Sequence, residues 1–253
     1  MKCEFNRHGE FLVSISGLFT LAMAIFWEFV VIDDGLVLSS PCNYCDMFRH
    51  FLPSRFFAFS ELKAGNLALW NPHIYSGMPF FANFQSAILY PPNLIFLLLP
   101  LAKAVNLSIA LHVFFGGVFM YLWLVYRKLH PLACFIGAVE FMFCGPHFLH
   151  IYAGHLSNLC TLIWIPCILL SIDGLFNDKS IKWALLGMAA VSMQIFAGHP
   201  QYVFYTFATG TIYAGIRLIR SKDRLQIAFL VFLIYFGATL LSAIQFFPGY
   251  QIT

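Results

Sequence analysis

Charge is what this sequence has least of. Lys, Arg, Asp and Glu make up 10% of its 253 residues, against about 25% in a soluble globular chain. A folded domain of this length must cover itself with polar groups, so a water-soluble fold is excluded. So are disorder, which needs high charge and low hydrophobicity, and a basic nucleic-acid-binding surface, for which a net charge of +3 is too small. Nucleotide-binding and hydrolase signatures are missing as well: there is no Walker A loop, dinucleotide-binding glycine fingerprint, G-x-S-x-G or H-E-x-x-H. Coupling to ATP within this chain is therefore not expected. The seven cysteines are scattered, and only Cys42-x-x-Cys45 forms a close pair. One such pair without a second is a weak zinc motif; an outer-face disulfide and ordinary apolar use are the other readings of these thiols.

What is present is apolar. Hydrophobic residues reach 60%, aromatics 18% with 30 Phe, and mean hydropathy is +0.80. A hydrocarbon core about 30 Å thick takes roughly 20 apolar residues per helix. Seven stretches meet or approach that length: 11–32, 105–126, 132–148, 156–172, 181–196, 202–219 and 225–247. The expected fold is an all-α polytopic membrane protein, a single module over 1–253. The first stretch is too long for a signal-peptide core and reads as a retained anchor. Glu28 and Glu140 interrupt two spans, and His112 falls inside a third.

Basic residues set the expected orientation. With the N-terminus cytoplasmic, ten of the fourteen Lys and Arg fall on inner segments, among them Arg127, Lys128, Lys179, Lys182, Arg217 and Arg224. Arg49, Arg55, Lys63 and Lys103 fall outside, all in one loop at 33–104. The chain is thus expected in the cell (cytoplasmic) membrane, N-terminus in and C-terminus out.

That loop is too long to be structureless. Residues 53–64 carry Phe56, Phe59 and Leu62 at helical spacing, with Pro53 at the start and Gly65 after the end, which predicts an amphipathic interfacial helix. A second short apolar piece, 94–99, ends at Pro100. Between them the chain is dense in Gly, Pro, Asn and aromatics, a turn-rich backbone whose amides and rings suit a polyol surface or a structural lid equally. Six of nine histidines, His50, His73, His147, His150, His155 and His199, lie on or near this side. Ala153-Gly154-His155 and Ala197-Gly198-His199-Pro200-Gln201 repeat one tripeptide 44 residues apart, as two helical hairpins closing at the same face would. A turn histidine can donate to phosphate, take a proton or bind metal; it can equally be a polar cap. Asp46, in Cys45-Asp46-Met-Phe-Arg49-His50, is a candidate general base or metal ligand.

The run Gly65-x-Leu-x-Leu-Trp70-Asn71-Pro72, Gly77-x-Pro79, Ala82-Asn83-x-Gln85, Tyr90-Pro91-x-Asn93 and Leu99-Pro100 resembles the YfhO-like bacterial membrane protein family. So do Asp46-x4-Phe51-x-Pro53, His155, Gly198-His199-Pro200-Gln201 and Gln245-x-x-Pro248. That family belongs with the GT-C glycosyltransferases, which take a sugar from a polyprenyl-phosphate carrier on the outer side of the membrane. The resemblance implies a GT-C-like fold and transfer to an acceptor in the cell envelope. It implies Asp46 as the catalytic carboxylate, with Asp33 and Asp34 as fallback, acting as base or holding a divalent cation. Arg49, Lys103, His155 and His199 become candidates for the lipid phosphate, and Trp70, Asn71, Gln85 and Gln201 for the substrate site. Family members usually run several hundred residues further, so the chain is expected to be an N-terminal portion with a C-terminal remainder as partner. A transporter or lipid flippase, and a non-catalytic partner module of a split or truncated enzyme, are the alternative functions.

Overall fold

In a computed structural model, residues 2–32, 35–37 and 45–252 are described, with side chains from residue 9 to 251. Asp33, Asp34 and Cys42 lie outside the described residues. The protein is 79% helical. Helix α1 (Lys2–Trp27) continues as a wider π turn over Glu28–Ile32. A second π turn, Met47–Phe51, leads into α2 (Leu52–Lys63). The loop then forms a two-residue antiparallel hairpin, β1 (Trp70–Asn71) with β2 (Met78–Pro79). Two 3-10 turns follow, Phe84–Ser86 and Pro91–Leu94, then the single-turn α3 (Ile95–Leu98). The remainder is an up-and-down series: α4 (Leu101–Tyr126), α5 (Pro131–Met142), α6 (Gly145–Ala153), α7 (Leu156–Leu162), α8 (Ile165–Asp178), α9 (Ile181–Ala197), α10 (Pro200–Ile219), α11 (Arg224–Leu241) and α12 (Ala243–Ile252).

Five helical stretches are long and apolar enough to cross a membrane: Gly9–Ile32, Leu101–Tyr126, Pro131–Ala153, Leu156–Asp178 and Arg224–Leu241. The chain is thus an all-α, membrane-embedded polytopic protein. The two other expected spans coincide with α9, apolar but only 17 residues long, and α10, whose Tyr, Thr and Gln content lowers its hydropathy. Three expected spans are also interrupted, at Phe143–Cys144, Ile163–Trp164 and Ser242. In the first two cases a proline on the first turn of the next helix, Pro146 or Pro166, accounts for the restart.

The apolar side chains divide between two packed regions. One joins α1, α2, the loop, α4, α5 and α7 around Leu18, Phe51, Tyr90, Ile109 and Met142; the other joins α8, α9 and α11 around Ile168, Ala190 and Ile234, and Trp164 packs against both. Large apolar residues left on the outside, such as Leu12, Val13, Phe204, Ile212, Phe229 and Phe236, form the surface that hydrocarbon solvates. One set of polar groups inside is satisfied locally. Tyr90 lies 2.9 Å from His112 Nε2 and takes a bond from Trp164 Nε1 at 3.0 Å, while His112 Nδ1 meets the Ser108 carbonyl at 2.6 Å. This closed network accounts for a histidine inside a span without a transport pathway. Glu140 is exposed on the outside of α5 and joins no such network among the described residues.

Helix polarity makes one end of the bundle the site of the loop, the α6–α7 turn and the α9–α10 turn. The opposite end holds the α4–α5, α8–α9 and α10–α11 turns, with Arg127, Lys128, Lys179, Lys182, Arg220 and Arg224. We refer to these as the histidine end and the basic end.

Candidate functional site

The expected amphipathic helix is present as α2, with Pro53 on its first turn and Gly65 at φ +82° just beyond it. Its buried face differs from expectation. Phe56 is exposed, whereas Ser54, Arg55, Ala58 and Phe59 are buried. Arg55, 1% exposed, donates Nη1 to the carbonyl of Gln85 at 3.1 Å and to that of Ser86. Burial draws its pKa down to about 10, which leaves it a cation at neutral pH. Through Nη1 the buried guanidinium fixes the Phe84–Ser86 turn onto the helix, while its Nε has no partner among the described residues. Periodicity did not single it out, because an Arg at such a position normally faces water.

The amides of the loop motif do similar work. Asn71 Oδ1 accepts from His73 N at 2.9 Å, Asn83 Oδ1 from Gln85 N at 3.0 Å, and Asn93 Nδ2 donates to the Ala87 carbonyl at 2.9 Å. These are side chains closing turns on their own backbone. From the far end of the chain, Gln245 Nε2 donates to the Phe81 carbonyl at 2.9 Å. Asn106, in α4, bonds the Phe29 and Gly35 carbonyls and the Val37 amide. The loop is thereby tied to α2, α4 and α12.

The two Ala-Gly-His tripeptides explain how the histidines reach it. Gly154 and Gly198 end α6 and α9 in the left-handed region, at φ +75° and +90°, as helix C-caps commonly do. Neither position has room for a side chain. A Cβ on Gly154 would sit 2.8 Å from Met47 N, and one on Gly198 would sit 2.3 Å from the Phe84 carbonyl oxygen. Each glycine therefore lets a helix end press onto the loop backbone, one beside Asp46 and the other beside Gln85. The histidine that follows each glycine is delivered to the same place.

The result is a cleft of about 380 Å³ lined by Asp46, Phe51, Gln85, His150, His155, Asn158, His199, Gln201, Tyr202 and Tyr205. His155 Nε2 lies 3.1 Å from Asp46 Oδ2. His155 Nδ1 lies 3.4 Å from His150 Nδ1, and His150 Nε2 lies 2.7 Å from the Tyr202 hydroxyl. One tautomer assignment satisfies all three contacts with neutral rings: Tyr202 O–H donates to His150 Nε2, His150 Nδ1–H to His155 Nδ1, and His155 Nε2–H to Asp46. All donors in this series point toward the carboxylate. Gln201 Nε2 donates to the Tyr205 hydroxyl at 2.6 Å, both on α10 beside Tyr202. His199 is held below the ordinary histidine pKa, first by burial and then by the neighbouring His155, and its buried Nδ1 has no partner among the described residues. His50, behind Asp46, is likewise lowered by burial and by Arg55, against a smaller upward pull from Asp46.

Of the residues expected at the site, Asp46, Gln85, His155, His199 and Gln201 meet in this cleft. Trp70, Asn71, Arg49 and Lys103 are not among its lining residues. Trp70 and Asn71 belong to the small hairpin, where the Trp70 ring covers Gly77 and Asn71 is buried in its turn. Arg49 is exposed and Lys103 half-buried on α4, each engaged in other interactions. His147 is buried against the Met142 carbonyl, where it caps α5, and His73 stacks edge-on against Phe57. His150, Tyr202 and Tyr205 were not singled out as ligands by sequence. The available signal was spacing: His150 lies five residues before His155, and Tyr202 and Tyr205 follow His199 by three and six, one face of a helix. Among the described residues no group of three or more His, Cys, Asp or Glu is placed to hold a metal ion. Comparisons with family models, with curated proteins and with solved structures find no match to this chain.

Proposed function

We propose that the histidine-end cleft is the active site of a GT-C-type, YfhO-like glycosyltransferase, which moves a sugar from a polyprenyl-phosphate carrier to an acceptor hydroxyl on the outer side of the cytoplasmic membrane. The observation that carries this reading is the Asp46–His155 contact at 3.1 Å inside a cleft built from three separate segments. A carboxylate on the first loop, oriented by a histidine at a membrane boundary, suits proton removal from an alcohol. In the step we propose, the acceptor oxygen attacks the anomeric carbon and gives its proton to Asp46. The bond from that carbon to the carrier phosphate breaks, and the phosphate leaves with the electron pair. His155 orients the carboxylate through Nε2–H, and His199 donates to a phosphate oxygen, with Gln85, Gln201 and Tyr205 toward the sugar hydroxyls.

Shape supports a lipid-borne donor. A groove of about 710 Å³ opens along α9, α10 and α11, lined by Val203, Phe207, Val231, Phe232, Tyr235 and Phe246 among others. It begins at Phe84 and Pro200, the sequence neighbours of Gln85 and His199 in the cleft. An isoprenoid chain in this groove brings its phosphate to the histidines. In this reading α9 and α10 also cross the bilayer, for seven spans in a GT-C-like arrangement with the N-terminus cytoplasmic.

The test is transfer by the purified protein in detergent or liposomes supplied with polyprenyl-phosphate sugars. Asp46→Asn is expected to lose at least about 100-fold in rate. Because Asp46 is 59% exposed and its partner 35%, stability should change by less than about 1 kcal/mol. Full activity in Asp46→Asn removes Asp46 from the mechanism. Movement of substrate across the membrane without a covalent product would point to a flippase instead.

A further inference from the structure

The basic end holds a second constructed site, unconnected with the transferase reading. Asp173 of α8 is buried, with a side-chain exposure of 4%, and collects four donors. Its Oδ2 accepts from Trp123 Nε1 at 2.9 Å and Arg127 Nη1 at 3.2 Å; its Oδ1 accepts from the Tyr213 hydroxyl at 2.6 Å and from Arg217. Arg217 also lies over the Phe176 ring at 4.4 Å. One carboxylate thus faces two guanidinium groups, and Lys128 stands beside them with no acidic partner among the described residues. Counting these four side chains, the site carries two formal positive charges beyond what Asp173 neutralises.

The excess charge lines a space. A cleft of about 420 Å³ is bounded by Tyr126, Arg127, Lys128, Asp173, Asn177, Tyr213 and Arg217. Arg127 keeps 46% of its side chain exposed, and it has spent only Nη1 on Asp173 and Tyr213. A guanidinium with unspent planar donors beside an ammonium matches the oxygens of a phosphate. Lys128 also lines a second cavity of about 660 Å³, whose other walls are Glu10, Phe11, Tyr121, Val125, Leu129 and Pro131. One lysine is therefore shared between a cationic cleft and a mainly apolar one at the end of a membrane-spanning helix. That pairing of a charged head site with a greasy slot is the outline of a phospholipid, not of a free ion.

We propose that this end binds an anionic phospholipid, with its phosphate at Arg127, Lys128 and Arg217 and an acyl chain against Phe11, Tyr121 and Val125. Basic pockets between membrane helices recognise anionic headgroups in this way, and each cation near the bilayer surface contributes about fivefold in affinity. Asp173 has a specific part in the site. It holds both guanidinium groups in one orientation, while neutralising only half of their charge.

The test uses the delipidated full chain in mixed micelles and native mass spectrometry of retained lipid, with phosphatidylglycerol, phosphatidylcholine and inorganic phosphate as probes. Phosphatidylglycerol should bind at least about fivefold more tightly than phosphatidylcholine. Inorganic phosphate should not displace it at equal concentration. Lys128→Gln leaves every Asp173 contact in place and should weaken phosphatidylglycerol about fivefold with phosphatidylcholine unchanged. Val125→Trp, which fills the slot, should weaken the long-chain lipid and leave a dihexanoyl analogue unaffected. Equal retention of the two lipids, wild-type affinity in Lys128→Gln, or displacement by inorganic phosphate would each overturn the proposal.

Discussion

The two ends of the bundle use polar residues in opposite ways. At the basic end a single carboxylate, Asp173, is buried and takes four donors, two from α4 with its C-cap residue and two from α10, so its charge is spent entirely within the fold. At the histidine end Asp46 is mostly exposed and meets one described partner, His155, which is itself linked onward by a contact of 3.4 Å. The difference separates two uses of an acid in a membrane protein. A saturated carboxylate organises helices; an unsaturated one in a cleft has lone pairs left for a substrate. The cations differ in exposure: Arg55 at the histidine end is buried and gives Nη1 to two carbonyls, whereas Arg127 at the basic end keeps nearly half of its side chain open to solvent.

The sharpest way to break this comparison is Asp173→Ala. Removing the acid leaves Arg127 and Arg217 repelling each other and strands the half-buried Tyr213 and Trp123 donors. Loss of one partner from a buried charged group costs about 3–5 kcal/mol, or about 10 °C in unfolding midpoint for a chain of this size. Thermal unfolding in detergent measures it. A midpoint within about 2 °C of the parent would mean that the basic end is not held by this carboxylate. Asp46→Asn, in contrast, should spare the midpoint and remove activity, so the two variants should separate cleanly on a plot of stability against transfer.

Much of this architecture was legible in the sequence, and the parts that were not share a cause. Apolar run length located the helices, because a span must satisfy its backbone internally and be greasy outside. Pro53 and Gly65 marked α2, and the repeated Ala-Gly-His marked two turns on one side. What periodicity could not report was the third dimension of polar residues. Asn71, expected at the substrate site, closes a turn, as Asn83 and Asn93 do, because an amide beside a glycine-rich backbone serves either purpose. Arg127 and Arg217 were assigned to topology alone, since nothing in a one-dimensional count shows that Asp173, 46 and 44 positions away, gathers both. The interruptions at Phe143–Cys144 and Ile163–Trp164 were hidden for the same reason: hydropathy is continuous through them although the helix is not.

A second pair of variants sharpens the comparison within the histidine end. Gly198→Ala forces a side chain into a left-handed backbone and against the Phe84 carbonyl, 2.3 Å away; Gly154→Ala meets Met47 N at 2.8 Å. Left-handed strain costs about 1–3 kcal/mol, and the closer approach adds to it, so Gly198→Ala should be the more destabilising of the two, by about 2–3 kcal/mol against 1–2. Both should reduce transfer by more than their stability loss explains, because each glycine seats a histidine on the loop. If either alanine variant keeps full activity and midpoint, the close approach of that turn to the loop is not required.

Acid provides the mildest probe, and its sign distinguishes the ends. His50 and His199 both have pKa values held below the 6.5 of an unfolded histidine, mainly by burial. As pH falls through 6.5, the unfolded chain takes up protons that the folded chain still refuses. Stability from these groups is therefore present above pH 6.5 and declines as pH drops toward their folded values. The partial exposure of both rings keeps the effect small, about 1 °C in midpoint between pH 7.5 and 5.5 for each. His199→Asn should flatten that dependence, whereas Lys128→Gln at the other end should leave its slope untouched. An unchanged slope in His199→Asn would place the acid sensitivity elsewhere. A slope altered by Lys128→Gln would mean that the two ends unfold as one coupled unit, and the division of labour between them would then be one of chemistry and not of stability.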